Sequence, residues 1–78
     1  MTVSEDGAVI RLQGQCRVED AEVVTALLLN RSEPLVDLSG CESMHAAVFQ
    51  VLLAFRPRIV GKPENAFIRD RLLPALAG

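Results

Sequence analysis

Apolar residues come in short runs along this chain, and the spacing within each run separates strands from helices. The run Ala8-Val9-Ile10-Arg11-Leu12 predicts a first strand. Thr2-Val3 supplies a short antiparallel partner through a turn at Glu5-Asp6-Gly7, since Asp-Gly is a strong turn signal. Gly14 closes the strand. A first helix is predicted from about Glu19-Asp20 to about Asn30. Asp20 is placed at its N-cap, and Asn30 and Arg31 suit its end. Pro34-Leu35-Val36-Asp37-Leu38 reads as a second strand, apolar enough to be covered on both faces. Ser39-Gly40-Cys41-Glu42 reads as a turn, with Ser43 capping a second helix from Met44 to about Phe55. Arg56-Pro57 ends that helix, because a residue before proline avoids helical geometry. Arg58-Ile59-Val60 gives a third strand, and Gly61-Lys62-Pro63 turns the chain. Pro63 is suited to start a last helix over about Glu64 to Leu73, which Pro74 kinks or stops.

Strands and helices that alternate over short links predict an α/β fold with a small, mainly parallel sheet and right-handed crossovers. With 78 residues the chain is read as a single domain, 1–78. A chain of this size buries only about 60–65% of the surface it exposes when unfolded, so its core must be fully used. Half its residues are hydrophobic, which fits that demand. The helices are expected mostly on one side of the sheet.

The second helix has an unusual surface. At about 100° per residue, Val48, Val51, Leu52 and Phe55 fall together as a core stripe, with Ala47 at its edge. The other side carries His45, Phe49 and Leu53, flanked by Ala46 and Gln50, and no charged side chain lies between Met44 and Phe55. A helix facing water normally places charge there. The expected reading is an exposed apolar stripe that meets a partner; burial of both sides within one chain is the alternative.

Charge narrows the choice of partner. Ten acidic and eight basic residues give a net charge of −2. That balance speaks against nucleic acid, which requires clustered Lys and Arg. Arg56, Arg58, Lys62, Arg69 and Arg71 lean toward the C-terminal half, but Glu64 and Asp70 are interspersed and suggest a solvated surface. The longest apolar run, Val51 to Phe55, is too short to cross a bilayer. The first six residues lack the basic and apolar regions of a signal peptide. The two cysteines, Cys16 and Cys41, form neither a CxxC nor a zinc-ligand spacing. A reducing cytoplasm with both thiols free is expected, with no metal and no cofactor.

The segment Val36-Asp37-Leu38-Ser39-Gly40-Cys41-Glu42-Ser43-Met44-His45-Ala46-Ala47-Val48 resembles the central strand–loop–helix of STAS domains, the family that includes anti-sigma-factor antagonists. Ile10-Arg11-Leu12-Gln13-Gly14 is similar to that family's second strand, and the order of elements agrees along most of the chain. The resemblance implies a bacterial signalling or regulatory module that binds a cytoplasmic protein, such as an anti-sigma-factor-like kinase or a transporter ATPase subunit. It places the partner surface on the loop and helix at about 39–53: Ser39, Ser43, His45, Ala46, Phe49, Gln50 and Leu53. The chain departs from the pattern where the family has Asp-Ser-Ser-Gly and this sequence has His45-Ala46-Ala47-Val48. The phosphoacceptor serine aligns with Ala47, which has no hydroxyl, so no phosphorylation switch is implied there; Ser39 and Ser43 are the nearby hydroxyls. The link between the second helix and third strand is also shorter than in a usual STAS domain.

Two other classes remain. Cys41 and His45, four residues apart near a helix start, are the ingredients of a thiol-dependent enzyme, although Glu42 is the only neighbouring acid. The third class is a self-associating structural domain.

Overall fold

The computed structural model describes residues 2–77, so Met1 and Gly78 of the expected domain lie outside it. The chain forms an α/β fold. Its elements are β1 (Val3–Asp6), β2 (Val9–Leu12), β3 (Gly14–Cys16), α1 (Val18–Leu29), β4 (Leu35–Asp37), β5 (Cys41–Met44), α2 (Ala46–Phe55) and β6 (Arg58–Val60). A last helical stretch covers residues 66–77. It contains a π segment at Ile68–Leu72 and ends as α3 (Leu73–Ala77).

The main sheet has the order β1-β2-β4-β6. β1 pairs antiparallel with β2 across the Asp6-Gly7 turn, where Gly7 takes φ 61°. β2, β4 and β6 run parallel. Both crossovers step the same way across the sheet, so right-handed connections put α1 and α2 on one face. There the two helices pack on each other, and α2 also meets α3. Ile10, Leu12 and Val36 point into this layer with Val24, Leu28, Val48, Leu52 and Ile68, all essentially without exposure. The opposite sheet face carries an ion-pair ladder. Arg11 reaches Asp6 at 3.0 Å and its register partner Asp37 at 3.5 Å.

Several boundaries differ from the sequence reading. α1 begins at Val18, and Asp20 lies inside its first turn instead of at the N-cap; its carboxylate accepts from the Arg17 N–H at 2.8 Å, so it still satisfies the helix start. The other end agrees with expectation: Asn30 and Arg31 side chains donate to the Ala26 and Leu27 carbonyls, both at 3.0 Å, and Arg31 also pairs with Glu5 of β1. Ser43 does not cap α2. His45 does, its Nδ1 accepting from the Ala47 N–H at 3.0 Å. Pro63 is buried in the preceding loop and does not open the last helix; Asn65 satisfies that helix start by accepting from the Ile68 N–H at 3.1 Å.

Two expected breaks prove to be a second pairing. Gly14 does not simply end the first strand, and of the expected turn at 39–42 only Ser39-Gly40 turns, since Cys41–Met44 forms β5. With φ 73°, Gly14 swings the chain off the main sheet, and its N–H donates to the Gly40 carbonyl at 2.8 Å. Beyond that point the chains that formed β2 and β4 resume parallel pairing as β3 and β5, through a bulge between Gly14 and Gln15. Pro74 also fails to stop the last helix. The Leu73 N–H bonds to the Ile68 carbonyl, five residues back, and this wider turn lets the helix continue through the proline.

Candidate functional site

The segment singled out by sequence lies at the carboxyl ends of the parallel strands, where open α/β sheets commonly bind their ligands. β4 ends at Asp37, and the loop that follows is fixed from three directions. The Asp37 carboxylate accepts from the Ser39 N–H at 2.9 Å. That bond, with the Ser39 hydroxyl and the Arg11 guanidinium, holds the Asp37 carboxyl below the ordinary carboxylate range. The Leu38 N–H donates to the Val60 carbonyl at 3.0 Å. Gly61, with φ 83°, presses close to the loop: a Cβ there would lie 2.5 Å from Asp37 Oδ1 and 2.8 Å from the Ser39 nitrogen. A fourth tie comes from Asn65, whose Nδ2 donates to the Glu42 carbonyl at 2.8 Å.

Two clefts flank this loop. One, of about 530 Å³, is lined by Ser39, Gly40, Cys41, Glu42, Glu64 and Asn65. The other, of about 320 Å³, is lined by Arg11, Gln13, Asp37, Ser39 and Gly40. A separate cleft at the opposite end of the sheet is lined in part by Phe55, Arg56 and Arg58; Arg56 adopts the left-handed conformation there to end α2.

Of the residues expected to face a partner, Ser39, Ser43, His45, Ala46 and Gln50 are exposed on the loop, β5 and the first turns of α2. Phe49 and Leu53 are not an exposed stripe: both are half-buried and packed against the core. The cause is that α2 touches α1 as well as α3, so apolar residues well off its sheet-facing line still find partners. Phe55, expected in the core stripe, is 38% exposed. The most exposed aromatic is Phe67, at 63%.

Cys41 and His45 are not brought together. Cys41 is 2% exposed and turned inward, with Sγ 3.8 Å from Cys16 Sγ and 3.4 Å from the Ser43 carbonyl oxygen. His45 is exposed and its ring is used in the helix cap. Among the described residues, no group of three or more His, Cys, Asp or Glu side chains is arranged to hold a metal ion.

Sequence reasoning missed Asn65, Gly61 and Cys16. Asn65 carried a usable signal, because Asn immediately before an apolar helical run is a favoured cap. Gly61 was recognisable as a turn residue but not as a contact of Asp37. Nothing local marks Cys16 as the neighbour of Cys41.

The fold and the corner together define a small α/β protein with a mostly parallel four-stranded sheet and a loop pinned at its carboxyl edge. No protein-family model matches the chain, and neither does a curated protein or a solved structure. Among the described residues, no helix is long and apolar enough to cross a membrane.

Proposed function

We propose that this chain is a non-catalytic regulatory protein-binding module of the STAS type, binding a partner through the loop after β4 and the start of α2. The observation that carries the reading is an exposed, uncharged helix start beside a loop whose backbone is already fixed. Ser39, Ser43, His45, Ala46 and Gln50 offer hydroxyl, imidazole, methyl and carboxamide groups to solvent, while Asp37, Gly61 and Asn65 fix the backbone beneath them. A surface set before binding loses little conformational freedom when a partner docks. Phe49 and Leu53 support it from below. The resemblance of Val36 to Val48 to the STAS strand–loop–helix favours a cytoplasmic regulatory protein as partner, such as an anti-sigma-factor-like kinase or a transporter ATPase subunit. Ala47 offers no oxygen to a kinase, so no phosphate is accepted at that position of the surface.

A photo-reactive residue placed at Gln50, with another at Ser32 beyond the opposite end of β4 as control, tests the site in a lysate of the source cells. Adducts to one protein are expected from Gln50, abolished by Ala46→Arg, with none from Ser32. Equal labelling from both positions, or adducts insensitive to Ala46→Arg, would place the binding surface elsewhere.

A further inference from the structure

The β3–β5 pairing brings together the only two cysteines of the chain, 25 positions apart, with Sγ atoms 3.8 Å from each other. Both side chains are buried, at 3% and 2% exposure, and both are free thiols. We propose that Cys16 and Cys41 form a reversible dithiol–disulfide site, oxidised by a small hydroperoxide, whose closed form fastens the start of β5 to the end of β3. The site goes beyond the partner reading, and its chemistry does not depend on it.

Three features of the geometry support this. The sulfur atoms already touch, so closing to a bond of about 2.05 Å needs an approach of less than about 2 Å. That movement falls on two short strands at a bulge. Cys41 also lines the cleft formed with Ser39, Gly40, Glu42, Glu64 and Asn65, so of the two buried cysteines it is the one next to open space. The contact also divides the roles. The contact with Cys41, then burial, push the Cys16 thiol up. Cys41, the one beside the cleft, is accordingly assigned as the attacking sulfur and Cys16 as the resolving one.

In the first step the Cys41 thiolate attacks the outer oxygen of the hydroperoxide. The O–O bond breaks, and the leaving oxygen takes a proton to become an alcohol, or water if the oxidant is hydrogen peroxide. Cys41 is then a sulfenic acid. In the second step Cys16 Sγ attacks Cys41 Sγ, the S–O bond breaks, and hydroxide leaves with the thiol proton as water. Two thiols and one hydroperoxide give one disulfide, one alcohol and one water. A small thiol reverses the change by exchange.

The test uses the full chain, reduced and then exposed to hydrogen peroxide, with remaining thiols alkylated under denaturing conditions and the products read by intact mass and peptide mapping. The expected result is loss of two hydrogens, a Cys16–Cys41 cross-link within one chain, no alkylation, and full reversal by dithiothreitol. In Cys16→Ala the resolving sulfur is absent, and dimedone should trap a sulfenic acid on Cys41. If that variant fails to fold, the wild-type chain equilibrated in glutathione redox buffers gives a second measurement, in which a single reversible transition to the internal cross-link is expected. Two thiols that stay alkylatable, cross-links only between chains, over-oxidation without a cross-link, or a bond that forms only after unfolding would each overturn the proposal.

Discussion

At the scale of single residues, the loop after β4 depends on a glycine and a carboxylate that meet across the chain. Gly61 has a left-handed φ and no room for a Cβ beside Asp37 and Ser39. Gly61→Ala therefore adds left-handed strain of about 1 kcal/mol or more to a clash with backbone that cannot move aside. A loss of about 2 kcal/mol or more is expected in denaturant unfolding, with displaced amide resonances in the loop at 37–42. Asp37 gives the loop its pH dependence. Its folded pKa lies below the ordinary value, first through the Ser39 N–H, then through the Ser39 hydroxyl and Arg11. Its contribution is therefore fully present above the unfolded pKa of about 3.9 and is lost as the pH falls through the lower folded value. Asp37→Asn should cost about 1 kcal/mol at neutral pH, a modest figure because the group is partly solvated. The gap between variant and wild type should close on acidification below about pH 4. A gap unchanged from neutral pH down to strong acid would show that the carboxylate charge does nothing for the loop.

At the scale of elements, the small β3–β5 sheet ties together the starts of the two crossovers. The His45 N–H donates to the Cys16 carbonyl at 2.8 Å, so the ladder runs directly into the start of α2. A cross-link there would close a loop of 25 positions, and constraint of the unfolded chain then stabilises the oxidised form by about 3 kcal/mol. The melting temperature of the oxidised chain should exceed that of the reduced chain, and the difference should vanish in dithiothreitol. The last helix answers a different constraint. Pro74 lacks an N–H and its ring crowds the preceding turn, and the wide turn at Ile68–Leu72 accommodates it. Pro74→Ala removes that demand. The stretch should revert toward regular α-helix, with higher helical circular dichroism and a gain of about 1 kcal/mol. A retained π segment in the variant would mean that the packing of Ile68 and Leu76, and not the proline, sets the wider turn.

At the scale of the whole molecule, a chain this short has little stability in hand, about 5 kcal/mol at the lower end of the usual range. Truncating a fully buried phenylalanine costs about 3–5 kcal/mol. Phe49 is half-buried against the core, so Phe49→Ala should cost about 2 kcal/mol, and Phe49→Glu should abolish the cooperative melting transition. A Phe49→Glu chain that melts like wild type would show that the residue faces a partner after all. The sequence by itself determined the α/β alternation, the Asp6-Gly7 hairpin, the bounds of β6 and the Val48–Leu52 core line. These follow from turn chemistry, proline geometry and hydrophobic periodicity, all of which act over a few residues. It also located the exposed loop and the first turns of α2. Tertiary structure alone decided that Gly14 and Gly40 lead into a second pairing, that Phe49 and Leu53 of α2 pack against the core, and that Asn65 and Gly61 fix the loop. It also decided that Cys41 faces Cys16 and not His45. Each of these joins segments far apart in the chain, where pairing depends on which surfaces remain uncovered once the helices have docked, and no local pattern of side chains encodes that.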